Sequence, residues 1–382
     1  MEYRCISADC HIDLGFLPDD LFTKNASQAM KARMPHVIGS KDGPMWVGEH
    51  EDFFGFVGGL GGAGRKHIPG QEHRMDRMAE TGLFEDVEKR NIRRPGDPKY
   101  RLQDQDRDGI QAEVMYGILG VGAKVKDPQV ASEVFRIYND WLADFCSYDR
   151  KRFVGLASIP CHNVDVAVAE VNRVASLGLG GIDFAFNWDM IPLWHRYWEP
   201  LWKAAADNNL AVHFHTIGIR KDPPRVEMTE MDKLLENATR ISSFQLVMGS
   251  ILSAVIHCGA LERYPQLRIV LGESGIGWIP YVLERMDEEW EGRYRERLSM
   301  KMKPSEYWRR QCRATFQNDR VGSKLLDELG EDCVMWGSDY PHADGVFPDS
   351  QDYIKRQFSH LPAPTQHKII CENVGRFYGL IS

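Results

Sequence analysis

The 382-residue chain carries 43% hydrophobic and 27% charged side chains, enough apolar matter to bury the core of one large or two ordinary domains. Its net charge of −8 disfavours nucleic acid and anionic membrane surfaces as partners. Eight cysteines without a CxxC pair argue against a disulfide scaffold or a structural zinc site, and for a reducing cytoplasm. No stretch reads as apolar enough to span a membrane, and the opening MEYRCISAD lacks the apolar core of a signal peptide.

In chain order, residues 3–8 read as a first strand closing on Asp9-Cys10-His11. Side chains repeat every two residues along a strand, so Asp9 and His11 share a face. A carboxylate and an imidazole so placed make half of a divalent-metal site; alone, they also suit a surface turn. Residues 14–100 show no clear periodicity and read as a long insertion, packed as a lid by its scattered Trp and Phe. Its glycine run, residues 55–64, lacks the GKS/T ending of a phosphate loop. Regular alternation then begins. Helices are expected over 102–108, 128–147, 164–177, 194–208, 234–257, 279–297 and 321–329, with a helical tail over 352–378 packing outside. Strands are expected over 112–117, 153–159, 181–186, 210–215, 267–272, 312–317 and 333–338.

Eight apolar strands separated by helices imply a parallel sheet buried on both faces, and that number favours a closed (β/α)8 barrel over an open sheet. The whole chain, 1–382, is then one domain, with 14–100 inserted after the first strand. In such a barrel chemistry lies at the C-terminal ends of the strands. There stand Asp9 and His11, then His213 and His215 after the fifth strand, Glu273 after the sixth and Asp339 after the eighth. Histidine and carboxylate without cysteine suit zinc, manganese or iron.

These residues carry a resemblance. Ser7-Ala8-Asp9-Cys10-His11, Trp198-Glu199-Pro200-Leu201-Trp202 leading to His213-Phe214-His215-Thr216, Gly259-Ala260-Leu261-Glu262-Arg263-Tyr264-Pro265, and Gly337-Ser338-Asp339-Tyr340-Pro341 follow in order along nearly the whole chain. Together they resemble the amidohydrolase superfamily, in the branch of aminocarboxymuconate-semialdehyde decarboxylase. The resemblance implies a (β/α)8 barrel holding a divalent metal, zinc first and manganese or iron next, one per chain or two. It assigns the metal ligands to Asp9, His11, His215 and Asp339, with Asp13 an alternate and His213 deeper, as core or support. Where many relatives carry His-Gly-Gly after the sixth strand, this chain has Glu273-Ser274-Gly275. That histidine transfers the proton in the decarboxylases, so Glu273 is expected to serve as acid/base, as a metal ligand, or in an ion pair with an arginine. Asp339 and His342 join it as catalytic candidates. Asn187 and Trp188 are candidates to line the pocket, His195 for wall or surface, and His257 for a structural helix end.

The expected enzyme is a metal-dependent hydrolase or non-oxidative decarboxylase of a small, ring-bearing substrate, cytoplasmic and, as relatives often are, a homodimer. A dinuclear iron oxygenase on the same barrel and a non-catalytic ligand-binding barrel are the alternatives.

Overall fold

The apolar runs of the sequence become eight parallel strands wound into a barrel. The computed structural model describes residues 2–62, 64–184, 190–215 and 227–382. The strands, in chain order, are β1 (Ile6–His11), then β2 (His36–Ile38), β3 (Met45–Val47) and β4 (Phe53–Phe56) in the inserted segment. The barrel continues through β5 (Ala112–Tyr116), β6 (Phe153–Ile159), β7 (Gly181–Phe184), β8 (Ala211–His215), β9 (Ile269–Gly272), β10 (Cys312–Phe316) and β11 (Val334–Trp336). Strands β1 and β5 to β11 are hydrogen-bonded in that order, while β2–β3–β4 form a separate antiparallel sheet. The ring closes between its ends. His11 donates its N–H to the Tyr340 carbonyl at 2.7 Å, and Asp339 donates to that of Asp9 at 2.7 Å. Gly337 makes this possible: a Cβ there would stand 2.6 Å from that of Asp9.

The first strand begins three residues later than its apolar run and takes in Asp9 to His11. A bulge explains why. Ser7 pairs with Glu113 but Cys10 with Met115, so β1 carries one extra residue. Ile6 and Ala8 therefore join the barrel's inner apolar cluster, and beyond the bulge the alternation resumes with Asp9 and His11 at the mouth. Ser7 and Cys10 end on one outer side, with the Cys10 thiol 3.1 Å from the Ser7 hydroxyl.

The helices fall where periodicity places them, most exactly Pro128–Ser147. A further helix, Pro304–Gln311, escapes notice because its sequence is so polar, although Tyr307, Trp308 and Gln311 are buried. The tail forms helices Ser350–Phe358, Ala363–His367 and Asn373–Phe377, but it does more than pack outside. Ile370, Phe377, Tyr378 and Ile381 cover the inner cluster from below, and the Tyr378 hydroxyl lies 2.8 Å from His213 Nε2. The continuous helical run from Glu230 to His257 is long and apolar enough to cross a membrane, contrary to the sequence expectation. In this fold its second half, Met248–His257, buries Met248, Ile251, Leu252, Val255 and Ile256 as a barrel helix.

One buried acid outside the barrel mouth makes stability depend on pH. Asp108 ends helix Pro98–Asp108 and accepts the N–H and hydroxyl of Ser350, at 3.0 and 2.5 Å. Burial pushes its carboxyl up to about 7 against the pull of those hydrogen bonds. The folded state thus holds the proton more tightly than the unfolded chain. That stability is complete below about pH 4 and is lost as pH rises through 7. At about 1.4 kcal/mol per tenfold in proton affinity the term is on the order of 4 kcal/mol. Asp108→Asn is expected to remove it, so the variant's unfolding free energy relative to the parent should climb between pH 4 and 8. A difference independent of pH, in denaturant titrations, would refute this.

Candidate metal centre

Four strand ends meet at the mouth of the barrel. Asp9 and His11 come from β1, His215 from the end of β8, Glu273 from just past β9 and Asp339 from just past β11. Ligand atoms of Asp9, His11 and His215 lie within 4.8 Å of one another. His11 Nε2 stands 3.3 Å from Asp9 Oδ1 and 3.1 Å from Asp339 Oδ1, and His215 Nε2 stands 3.5 Å from Asp9 Oδ1. Glu273 Oε2 is 3.7 Å from the same His215 nitrogen.

The Asp9 carboxylate shows how the site is aimed. Its Oδ2 accepts the Thr315 hydroxyl at 2.5 Å and the Glu273 N–H at 2.7 Å. Oδ1 is left to face both histidines and has no hydrogen-bond partner. The same holds for His11 Nε2, His215 Nε2 and both oxygens of Asp339, all buried. Five ligand atoms that face one another across a single pocket without a hydrogen bond are costly unless something binds them. A divalent cation fits that donor set. Thr315 and the Glu273 backbone then act as the supports that orient a metal-binding carboxylate.

Backbone strain marks the same place. Glu273 and Asp339 have φ of 48° and 58°, in the left-handed region that residues other than glycine rarely occupy. Such conformations persist where the surroundings over-determine them, commonly at functional sites. The carbonyl of His11 is held from behind by Arg101, whose Nη1 donates to it at 2.8 Å while its guanidinium pairs with buried Glu113.

The electrostatics follow from burial among like charges. Burial pushes the Glu273 carboxyl well above the usual range, and neighbouring Asp339 and Asp9 push it further. Burial also opposes ionisation of Asp339, but His342 and His11 outweigh it and hold that carboxyl low.

His342 joins the site. Its ring stacks on His11 with centroids 3.9 Å apart. Its Nδ1 lies 3.3 Å from Asp339 Oδ1 and its Nε2 lies 3.1 Å from Asp13 Oδ2. Asp13, two residues past His11, is tied in turn to the glycine run, accepting the Gly61 N–H at 2.9 Å. That run is a tight turn of backbone on backbone: a Cβ on Gly59 would stand 2.3 Å from the Gly64 carbonyl. His213 lies in the barrel core as expected, its Nδ1 against the carbonyls of Ile182 and Ala211. His195 is exposed, and its Nδ1 accepts the N–H of Tyr197. His257 ends its helix, 3.1 Å from the Ser253 hydroxyl. Asn187 and Trp188 lie outside the described residues. Thr315 and Tyr116 were not legible as site residues; the Tyr116 ring packs 4.7 Å from that of His215.

Comparison with known proteins decides the lineage. The family described as Amidohydrolase matches residues 73–380. The chain belongs to the amidohydrolase family. It is therefore placed among metal-dependent hydrolases and carboxy-lyases, and a divalent metal is the cofactor class. It is 24% identical over 288 residues to 2-amino-3-carboxymuconate-6-semialdehyde decarboxylase of Dictyostelium discoideum, covering 74% of this chain and 77% of that one. An amidohydrolase of Mycobacterium avium subsp. paratuberculosis K-10 shares the fold with a TM-score of 0.72 at 18% identity, covering 99% and 100% of the two chains. A dihydroxybenzoic acid decarboxylase of Polaromonas sp. JS666, with bound manganese and the inhibitor 2-nitroresorcinol, superposes with a TM-score of 0.62 at 16% identity, covering 99% and 98%. These likenesses bear out the (β/α)8 barrel.

Proposed function

We propose that this chain is a metal-dependent non-oxidative decarboxylase of a small carboxylate borne on a ring or conjugated carbon. The observation that carries the reading is the set of five buried ligand atoms from Asp9, His11, His215 and Asp339 that lack hydrogen bonds, with the Glu273 carboxyl beside it. The carboxymuconate and dihydroxybenzoate decarboxylases support it, because in both the carboxylate sits on an unsaturated carbon. Asp9, His11, His215 and Asp339 would hold the cation. The carboxylate-rich donors and the relative's manganese favour manganese over the zinc expected from sequence. When bound, the cation supplies Lewis acidity at a substrate oxygen and offsets negative charge there.

The protein's part is to hold and deliver a proton. Glu273 is buried beside the metal ligands, and burial together with Asp339 and Asp9 raises its carboxyl above the usual range, which favours the form that carries a proton. It would donate its proton to the carbon bearing the carboxylate. The bond from that carbon to CO2 then breaks, leaving C–H in its place, and Glu273 regains a proton from water. The closed barrel and its buried walls keep bulk water from competing for that carbon.

The test is manganese-loaded protein with a panel of hydroxybenzoates and of esters and lactones, run in D2O. Release of CO2 with one deuterium at the vacated carbon is expected. Ester or lactone cleavage without CO2 would move the assignment to the hydrolases, and substrate-dependent oxygen consumption would move it to an oxygenase.

A further inference from the structure

The metal ligands take up only part of the barrel mouth. Around the ring, β5, β6 and β7 separate His11 on β1 from His215 on β8, and these three strands supply none of the ligands. They supply buried oxygens instead. Asp183 on β7 is in register with Ser158 on β6 and with His213 on β8, two residues below His215. It faces the barrel interior, as does Gly181 two residues earlier, where a Cβ would stand 2.5 Å from the His213 ring. Asp183 is fully buried, and among the described residues neither of its oxygens has a hydrogen-bond partner. The Gly117 N–H supports it weakly, without a formed hydrogen bond, and no lysine or arginine is among the charges that act on it. The hydroxyls of Ser158 and Tyr138 are buried and unpartnered as well. Both press on Gly117, where a Cβ would stand 2.8 Å from each. That glycine lets Tyr138 reach from helix Pro128–Ser147 to the strand ends.

The cluster lies beside the metal centre. The charge of Asp183 acts on the Tyr138 and Tyr116 hydroxyls, and the charges of His11 and Asp9 act on Asp183. Tyr116 is the common wall, its ring 4.7 Å from that of His215 and 5.7 Å from that of His11. A carboxyl and two hydroxyls buried bare are costly unless a polar group completes them. A neutral group that donates a hydrogen bond can do so. A second anion would be set against Asp183 with no cation to offset it. We infer that Asp183, Ser158 and Tyr138 form a subsite for a neutral hydroxyl or amino group of the substrate, apart from the carboxylate taken at the metal. The inference rests on the decarboxylase reading above and adds which second substituent the site selects. A site built to hydrogen-bond such a group rejects the analogue that lacks it, because its own polar atoms are then left unpaired.

The test is calorimetric binding to the manganese-loaded full chain at neutral pH. The probes are benzoate, its hydroxy and amino derivatives, and the benzene dicarboxylates. At least one hydroxy or amino isomer is expected to bind about tenfold or more tighter than benzoate, and the dicarboxylates no tighter than benzoate. In Asp183→Ala the ratio of the two affinities should fall to within about twofold. Tyr138→Phe and Ser158→Ala each remove one hydroxyl and keep the shape of the wall, so each should lower the ratio in part. Melting curves confirm folding, and these two variants decide the matter if Asp183→Ala does not fold. Benzoate bound as tightly as every derivative in the parent overturns the subsite while leaving the metal centre intact. A preference unchanged in the folded variants overturns the assignment to these residues. Tighter binding of a dicarboxylate overturns the selection of a neutral group. Failure of every probe to bind overturns the carboxylate reading, and the subsite with it.

Discussion

Replacing Asp339 by Asn is expected to abolish turnover, with a loss of about a thousandfold or more, equivalent to ~4 kcal/mol of barrier. The fold should survive. Asp339 sits at φ 58°, and asparagine is among the few residues that tolerate that region, so the strained turn is kept. The peptide N–H that closes the barrel onto the Asp9 carbonyl is untouched. What is lost is the negative charge shared by His11 and His342, and with it an anionic donor for the cation. The expected signature is therefore specific: an unchanged melting temperature or a modestly raised one, lower metal retention, and no product. Full activity in a folded variant would remove Asp339 from the site. A collapsed melting temperature would show that the carboxylate is structural before it is chemical.

Sequence reasoning reached the barrel because its strands are buried on both faces and so read as continuous apolar runs between amphipathic helices. It reached Asp9, His11, His215 and Asp339 because a (β/α)8 barrel delivers chemistry to strand ends, which a linear sequence does mark. The bulge that lets both Ile6 and Asp9 face inward lies beyond such a reading, since it depends on pairing with β5. Thr315 was equally hidden. It looks like any β-branched strand residue, and only its contact with Asp9, 306 residues away, gives it a role. The pairing of Asp13 with His342 spans 329 residues and that with Gly61 spans 48. Asp9-x-His11-x-Asp13 did carry a signal, because the two-residue spacing that unites the first two continues into the third. The inserted segment was opaque because its elements are short: strands β2 to β4 run three or four residues, too few for periodicity to show.

Glu273→Gln is the variant that separates proton delivery from metal binding. Glutamine keeps the length of the side chain and leaves in place the backbone N–H that donates to Asp9 Oδ2. The cradle of the first cation is therefore preserved, and metal content should match the parent. The amide has no proton to give to carbon, so kcat is expected to fall by about 10²- to 10⁴-fold, the usual worth of a positioned acid, while KM changes little. Two readouts make the case. The first is the parent's solvent isotope effect: a sizeable effect on kcat in D2O is expected if the Glu273 proton moves in the slow step. The second is exchange of the product's ring proton with solvent, the reverse of the same transfer, which Glu273→Gln should slow in parallel with turnover. Loss of a metal equivalent would instead make Glu273 a ligand, and activity would then track metal occupancy rather than proton transfer. Near-normal kcat with full metal would release Glu273 from both roles and move proton delivery to His342, the imidazole whose ring lies between Asp13 and Asp339.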